Sequence, residues 1–303
     1  MHTVIGAVTR YYSGGVNSTP PFFFEKNKNI LLTYMVLCTI LYIVHGTILR
    51  KRTGNIMDIR EKNFLNNYKP SEYKRPSVTA DVVVFTLDDD NDLNILLVKR
   101  NDFPFKDHWA IPGGFLNVDE ESVDETAVRE LYEETGVKDV FLKQLYTFSD
   151  PNRDPRMHVI SVAYTALVPK NQLSVKAGDD AKDARLFKIK YDIDGIRFIS
   201  DDIVLSEDML AFDHKEIIRT AIMRIRGRID YEPDAFELLK DKNEFTIYEL
   251  KRIYESIRNK TLDTANFRKS FIRNYVNTGV CTPLDKKCED AGCRAATLYK
   301  CNE

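Results

Sequence analysis

Residues 112–137, PGGFLNVDEESVDETAVRELYEETGV, constrain the fold of this chain more than any other segment. Ser122 is followed three residues later by Glu125, which is the spacing of a capping box at the beginning of a helix. Gly136 stands where many helices end in a left-handed residue. The segment therefore predicts a capped helix after a pair of glycines. Its apolar stripe, which would pack on a core, consists of Val123, Ala127, Val128 and Leu131.

One face of this helix carries a cluster of three carboxylates. Glu130, Glu133 and Glu134 stand at positions i, i+3 and i+4 and therefore project from the same side. Like charges at this spacing repel each other by about 0.2–0.5 kcal/mol per pair, and the helix dipole disfavours anions near a C-terminus. Because Mg²⁺ and Mn²⁺ prefer hard carboxylate oxygens, the cluster predicts a divalent cation site. On these residues alone, a solvated acidic helix face is the alternative.

With the glycine pair included, the segment resembles the Nudix box, Gly-x5-Glu-x7-Arg-Glu-U-x-Glu-Glu-x-Gly-U, in which U is aliphatic. The connecting loop is one residue longer than this pattern. Glu120 keeps the spacing from Gly114 and Glu121 keeps the spacing to Arg129, so both are candidates for the first glutamate of the box. The matching positions in the second half of the box are Arg129, Glu130, Leu131, Glu133, Glu134, Gly136 and Val137.

This resemblance implies Mg²⁺- or Mn²⁺-dependent hydrolysis of a nucleoside diphosphate linked to another moiety. Carried over by position, Glu130 and Glu134 correspond to metal ligands, together with the carbonyl of Gly114. Glu133 corresponds to a further ligand or to a catalytic base that orients water. Arg129 corresponds to the arginine that holds the glutamate rotamers.

Sequence outside the box narrows the resemblance. The segments SVTADVVVF, LLVKRNDFPFKDHWAIPGGF, LYTFSDPNRDPRMHVISVAY and AGDDAKDARLF resemble bacterial-type ADP-ribose pyrophosphatases. ADP-ribose is then the expected substrate, with AMP and ribose 5-phosphate as products. The candidate contacts to its diphosphate are Lys99, Arg100, Gly113 and Arg156; solvated surface charge is the alternative for the three cationic residues.

The flanking sequence combines strand and helix patterns. Residues 78–87, 93–100 and 159–168 are rich in β-branched residues and predict strands, the first two as a hairpin. Residues 213–226 predict a helix that begins with a capping-box-like pair, Asp213 and Glu216. The expected fold class is therefore α/β, with a Nudix α/β/α sandwich over residues 77–230.

The C-terminal part predicts two helices joined by a tight turn, the first opened by Thr246 and Glu249 and the second beginning at Asp263 or Thr264. The segments RGRIDYEPDAFELL, FTIYELKRIYESI and LDTANFRKSFI resemble the winged-helix domain of Nudix-related transcriptional regulators of NAD metabolism. That resemblance implies DNA binding by residues 231–303 and a Nudix domain that senses ADP-ribose. Many such regulators have lost box glutamates, whereas this chain keeps them, which favours retained catalysis.

Charge is distributed unevenly along the chain. The whole sequence has 44 Lys and Arg against 46 Asp and Glu, so a nucleic-acid surface must be local. Residues 251–275 carry seven basic residues and two acidic ones, which suits contacts to phosphate. The alternative is that this helix pair does not contact DNA and instead packs against a second copy of the chain. In either case we expect a homodimer. The candidate DNA contacts are Asn266, Arg268, Lys269 and Arg273.

Both ends of the chain add a further expectation. Residues 29–49 contain no charged side chain and are followed by basic residues 50–52, which predicts a single-pass membrane helix with the remainder in the cytoplasm. The predicted layout is then an N-terminal segment over 1–56 and a linker over 57–76 before the two domains. Translation from Met57 would instead give a cytoplasmic two-domain protein. At the other end, four cysteines lack the spacing of zinc knuckles and are expected to be free thiols beside the wing: Cys281, Cys288, Cys293 and Cys301.

Taken together, these patterns predict a Mg²⁺-dependent Nudix hydrolase acting on ADP-ribose. The alternative is a metabolite-sensing, DNA-binding transcriptional regulator. The intact glutamates favour the enzyme, and the basic second helix favours the regulator.

Overall fold

A computed structural model describes residues 58–137, 140, 142–175, 181–288 and 295–302. The chain divides into two units, one up to Tyr73 and one from Lys74 onward. The predicted membrane segment, residues 29–49, lies outside the described residues and stays a prediction. Among the helices that the structure describes, none is long and apolar enough to cross a bilayer.

The segment predicted to be a linker contains a short helix. Helix α1 (Ile59–Asn67) begins after Asp58, whose carboxylate accepts a hydrogen bond from the backbone N–H of Arg60 at 3.1 Å. A 3₁₀ turn, Pro70–Glu72, follows. No residue of α1 is buried, so capping and helix propensity shape this segment rather than a core.

The second unit contains the two predicted folded parts in sequence. Its strands and helices are β1 (Ser77–Leu87), β2 (Leu93–Arg100), β3 (Trp109–Ala110), β4 (Gly113–Phe115), α2 (Val123–Thr135), β5 (Leu142–Phe148), β6 (Val159–Leu167), β7 (Ala181–Asp192), β8 (Gly195–Ser200), β9 (Ile203–Ser206), α3 (His214–Arg228), β10 (Phe245–Thr246), α4 (Ile247–Arg258), α5 (Thr264–Phe271), β11 (Cys281–Lys287) and β12 (Thr297–Cys301).

The first nine strands form one mixed sheet within the described residues. The strand order is β5-β6-β1-β2-β7-β8-β9, with β3 paired to β2 and β4 paired to β1. Strand β1 is central: it runs parallel to β6 and antiparallel to β2 and β4. The predicted β1–β2 hairpin is confirmed, and β4 brings the glycine pair against the middle of the sheet.

Alternation along β1 sends side chains to two different cores. Ala80, Val82 and Val84 face helix α2, whose Ala127 and Leu131 pack against them. Other apolar residues of β1 face helix α3, so the sheet is covered on both sides and the predicted α/β/α sandwich is confirmed. The α3-side residues are Val83, Phe85, Leu87, Ile217, Ile218, Ala221, Ile222 and Ile225.

The apolar stripe predicted for α2 is wrong at one position. Val128 is 51% exposed, whereas Glu130 is only 9% exposed. The predicted capping box of Ser122 and Glu125 is confirmed, and so is the left-handed Gly136 with φ of 68°. The helix therefore begins and ends as expected, but Glu130 is buried in it and Val128 is exposed.

The C-terminal part is a winged helix, as predicted. Helix α4 begins after Thr246, and α5 begins after Asp263, with each cap accepting a backbone N–H bond. Strands β10, β12 and β11 form a small sheet in that order, with β11 and β12 as the wing. Phe245 and Phe271 join the same core cluster as the α3 side of the Nudix sheet, so one hydrophobic core runs through both parts.

Candidate functional site

The glycine pair of β4 lets two carboxylates approach the backbone. A Cβ atom at Gly113 would lie 2.6 Å from the carbonyl oxygen of Ala80 and 2.5 Å from Oδ1 of Asp81. A Cβ atom at Gly114 would lie 2.0 Å from Oε1 of Glu130. Only glycine fits at either position without movement of the neighbours, and Gly114 therefore opens directly onto the buried carboxylate of α2.

Arg129 holds the glutamates around it. Its guanidinium donates to Oε1 of Glu130 at 2.7 Å, to Oε2 of Glu133 at 3.4 Å and to the carbonyl oxygen of Phe115 at 3.2 Å. It also donates to both oxygens of Glu121, at 2.9 and 3.2 Å. Arg129 therefore contacts Glu121 and two of the three box glutamates, and its role in holding their rotamers stays a prediction.

The structure distinguishes the two candidates for the first glutamate of the box. Glu121 accepts the bonds from Arg129 and one from the backbone N–H of Asn117 at 3.0 Å, which together lower its pKa to about 2. Glu120 is exposed. The extra residue of the loop is accommodated by a turn in which Asp119 has φ of 70°.

The three box glutamates have the donor chemistry for Mg²⁺ or Mn²⁺ but do not converge. Burial raises the pKa of Glu130, and the bond from Arg129 opposes that shift. Glu133 has a half-exposed side chain, while Oε2 of Glu134 is buried. Within the part of the chain that the structure describes, no group of three or more His, Cys, Asp or Glu residues is placed to hold an ion. The metal role of Gly114 and the three glutamates stays a prediction.

Two of the predicted diphosphate contacts meet at one aromatic ring. The guanidinium of Arg100 lies 4.9 Å from the ring centre of Phe212, and that of Arg156 lies 5.9 Å from it. Arg156 also lies 5.3 Å from the ring of Phe115. Lys99 stands opposite Trp109 in the β2–β3 pair instead. We call Arg100, Arg156, Phe105, Phe115 and Phe212 the arginine–aromatic cluster; the sequence indicated none of its rings.

A buried ion network lies behind this cluster. Arg153 makes two hydrogen bonds to the carboxylate of Asp213, at 2.6 and 2.9 Å, and lies 3.7 Å from Asp81. Ser161 donates to Asp81, whose pKa is nevertheless raised by burial. Asp213 is the N-cap residue of α3, as predicted, but the capping-box bond expected from it does not form, because Arg153 binds its carboxylate.

His214, the first residue of α3, is buried as a neutral imidazole. Its Nδ1 accepts the backbone N–H of Ile111 at 3.1 Å, and burial lowers its pKa to about 3. Below pH 6.5 the unfolded chain binds a proton there that the folded chain does not bind. The stability supplied by neutral His214 is therefore full above pH 6.5 and is lost as the pH falls toward 3.

We accordingly expect the free energy of unfolding to fall by about 1.6 kcal/mol between pH 6.5 and pH 5 through His214 alone. Urea unfolding across this pH range measures the slope. A His214→Gln variant should show a flatter slope whatever its absolute stability. The exposed His158, changed to Gln, should keep the wild-type slope; equal slopes in all three proteins would contradict the assignment.

The basic residues of the winged helix divide into two groups. On α4, Lys251 and Arg252 pair with Glu255, and Arg258 pairs with Asp230. On α5 and the π-helix that continues it (Ile272–Val276), the candidate side chains are exposed and form no ion pair with another described residue. These residues are Asn266, Arg268, Lys269 and Arg273.

The Nudix hairpin contacts helix α4 directly. In the turn between β1 and β2, the carbonyl oxygen of Asn91 accepts a bond from the hydroxyl of Ser256, and that of Asp90 accepts one from Arg252 at 3.4 Å. Glu255, on the same helix, accepts the backbone N–H of Leu262 at 2.8 Å, just before α5. A short chain of contacts thus leads from β1 to the beginning of α5.

Comparison with known proteins separates the chain into the same two parts. Residues 77–191 match the NUDIX domain, and residues 235–301 match the NrtR DNA-binding winged helix domain. The ADPR responsive transcriptional repressor NtrR of Acinetobacter baylyi is 31% identical over 243 residues, 79% of this chain and 88% of that protein. An ADP-ribose pyrophosphatase of Methanocaldococcus jannaschii is 38% identical over 161 residues, 53% of this chain and 80% of that protein.

A solved structure extends the similarity to the three-dimensional arrangement. The crystal structure of Shewanella oneidensis NrtR complexed with a 27mer DNA is 28% identical and has a TM-score of 0.57. The alignment covers 74% of this chain and 93% of that one. The similarity therefore includes both the sheet domain and the winged helix.

Proposed function

The chain belongs to the Nudix family, in the group that carries a C-terminal NrtR-type winged helix, and on this premise we propose that it is a DNA-binding transcriptional regulator that senses ADP-ribose. The observation that carries the proposal is the contrast between α4 and α5. Basic residues on α4 are neutralised by acidic partners, whereas Arg268, Lys269 and Arg273 are presented to solvent. Exposed cations on the second helix of such a motif suit contacts to DNA phosphates.

The arginine–aromatic cluster supports a nucleoside diphosphate as the sensed ligand. Guanidinium groups bind phosphate oxygens in a planar, two-pronged manner, and aromatic faces stack on purine rings. Arg100 and Arg156 both contact the ring of Phe212, which combines the two requirements within one cluster. The named relatives add support, because one responds to ADPR and another is an ADP-ribose pyrophosphatase.

The contact between the β1–β2 turn and α4 offers a route for communication. Strand β1 carries Asp81 beside Gly113, and its hairpin turn bonds to Ser256. A displacement of β1 on ligand binding would be transmitted through these contacts to α4 and, through Glu255, to the beginning of α5. Any such coupling is reciprocal, so ADP-ribose and DNA must change each other's affinity by the same factor.

The experiment that tests the proposal is a titration of the full chain against genomic DNA fragments at several salt concentrations. Arg268→Ala and Lys269→Ala should each weaken binding and reduce the slope of log affinity against log salt by about one unit, because one phosphate contact is lost. Arg197→Ala is the matched control: it removes a half-exposed arginine from β8 that pairs with Asp192. That variant should keep the wild-type slope.

The same titration is repeated with saturating ADP-ribose, which should change the affinity for the selected fragments. Binding no tighter than that of a Nudix hydrolase without a winged helix, even at low salt, would refute the regulator. DNA binding that ADP-ribose leaves unchanged would retain the DNA-binding role and refute the sensing role. A homodimer remains part of the proposal, since two half-sites on DNA would require two copies.

Hydrolysis of ADP-ribose is the second candidate function. It is favoured by the complete set Arg129, Glu130, Glu133 and Glu134, with Gly114 opening onto Glu130. When bound there, Mg²⁺ or Mn²⁺ would neutralise charge on the diphosphate. Arg129 would fix the carboxylate rotamers, and Glu133 would orient a water molecule.

A further inference from the structure

Two cysteines face each other at the base of the wing. Cys281 on β11 is the register partner of Cys301 on β12, and both are free thiols. The backbone N–H of Cys301 bonds to Lys242 on the other side, while that of Asn302 bonds back to Val280, each at 2.8 Å. The two cysteines therefore form a non-hydrogen-bonded pair of the antiparallel ladder. In such pairs the Cα atoms are about 4.5 Å apart and the side chains are close.

This spacing is compatible with a covalent bridge. Disulfides join residues whose Cα atoms are about 4.4–6.8 Å apart and whose Cβ atoms point to the same side, as those of directly opposed strand residues do. We infer that Cys281 and Cys301 are a reversible redox pair that closes into a cross-strand disulfide when the protein meets a peroxide.

The two thiols differ in the properties that assign their roles. Cys281 is 1% exposed, whereas Cys301 is only partly buried and more open to an oxidant. The pKa of Cys301 is lowered by a hydrogen bond from Cys281 and by the ammonium of Lys242, which Glu237 partly opposes. The same hydrogen bond, together with burial, raises the pKa of Cys281. Cys301 is thus the attacking thiolate and Cys281 the resolving thiol.

The chemistry balances with hydrogen peroxide as the oxidant. The thiolate of Cys301 attacks one peroxide oxygen, the O–O bond breaks, hydroxide leaves, and a sulfenic acid forms on Cys301. The thiol of Cys281 gives up its proton and attacks that sulfur, the S–S bond forms, and the sulfenic oxygen leaves as water. Two electrons pass from the two thiols to the peroxide, and two water molecules are released overall.

The bridge would lie at the base of the wing, where hydrogen bonds already join the two ends of the strand pair. The side-chain amide of Asn302 donates to the carbonyl oxygen of Gly279 and to the hydroxyl of Thr282, each at 2.7 Å. A covalent link one residue away would close the loop between β11 and β12 and restrict the unfolded chain. The inference rests on the wing alone and does not require that the protein binds DNA.

The experiment treats the purified full chain with hydrogen peroxide, alkylates the remaining thiols and digests it with trypsin without reductant. Cleavage after Arg273, Lys286 and Lys300 places Cys281, Cys288 and Cys301 on three different peptides. Cys288 is already in a disulfide, so the prediction of a free thiol is wrong at that position. The expected product is residues 274–286 linked to residues 301–303. The link should disappear on reduction, and its formation should raise the melting temperature by several degrees.

Single variants distinguish a redox pair from unrelated oxidation. In Cys281→Ser, the sulfenic acid on Cys301 has no resolving partner and should be trapped by dimedone, while the linked peptide disappears. In Cys301→Ser, Cys281 should react with peroxide far more slowly. Wild-type protein that keeps both thiols, or in which Cys301 advances to sulfinic acid without the linked peptide, would overturn the inference. The wild-type peptide map decides the matter even where a variant fails to fold.

Discussion

Replacement of Arg153 by leucine is expected to lower the free energy of unfolding by about 3–5 kcal/mol, because it leaves buried carboxylates without their cation. The side chain of Arg153 is 4% exposed and lies between Asp213 and Asp81. Leucine fills part of the volume but offers no donor. Urea unfolding at pH 7 measures the change.

Arg185→Leu is the matched control for this substitution. Arg185 also pairs with an aspartate, Asp183, but its side chain is 35% exposed, so its loss should change the stability by no more than about 0.5 kcal/mol. A double variant, Arg153→Leu with Asp213→Leu, should recover part of the loss, since only Asp81 then remains and its raised pKa favours the neutral form. A cost below 1 kcal/mol for Arg153→Leu would contradict the network.

The buried network also connects the two segments that carry the arginine–aromatic cluster. Arg153 and Arg156 stand on the segment between β5 and β6, while Phe212 and Asp213 stand just before α3. The Arg153–Asp213 pair joins these two segments behind the ring that Arg156 contacts. Arg153→Leu should therefore weaken ADP-ribose binding even in the fraction that stays folded.

Local features of the fold could be predicted because their causes lie within a few residues. The capping box of Ser122 and Glu125, the left-handed Gly136 and the caps at Thr246 and Asp263 all depend on neighbours three or four positions away. Strands β1, β2 and β6 followed from β-branched runs in the same way, and their predicted ends lie within one residue of those in the structure. The other strands of the large sheet were not predicted.

Features that depend on distant partners could not be predicted. Asp213 has the spacing of a helix cap, yet an arginine sixty residues earlier takes its carboxylate. Val128 fits an apolar stripe but is exposed, whereas Glu130 is buried in the space that the absent Cβ of Gly114 leaves. Phe212 lies in a loop without periodic pattern, so only the folded chain shows that Arg100 and Arg156 meet there.

The choice between Glu120 and Glu121 likewise depends on contacts that the sequence does not show. Both glutamates satisfy half of the box spacing, and sequence distance alone treats them equally. In the structure the loop turns at Asp119, which has a left-handed backbone conformation, and Glu121 accepts hydrogen bonds from Arg129. The insertion therefore leaves the arginine-centred half of the box intact, which keeps the hydrolase function open to test.

Glu134→Gln is expected to lower Mg²⁺-dependent hydrolysis of ADP-ribose by orders of magnitude while the domain stays folded. Glutamine keeps the size of the side chain but removes the charge that a divalent cation requires. It also relieves repulsion among Glu130, Glu133 and Glu134 on one helix face, so the melting temperature should stay level or rise slightly. Turnover with Mg²⁺ and binding of Mn²⁺ by electron paramagnetic resonance measure the effect independently.

Glu120→Gln removes one carboxylate from the exposed loop and is the matched control, with wild-type turnover and Mn²⁺ affinity expected. Normal turnover in folded Glu134→Gln would refute the metal assignment of that residue. Wild-type protein that binds ADP-ribose without cleaving it, with Mg²⁺ or Mn²⁺ present, would refute the hydrolase and leave the sensor. Because Glu134 lies on α2 and the DNA candidates lie on α5, the variant should keep its DNA affinity in the absence of ADP-ribose. A loss of catalysis with DNA binding retained would show that catalysis and DNA binding use separate side chains.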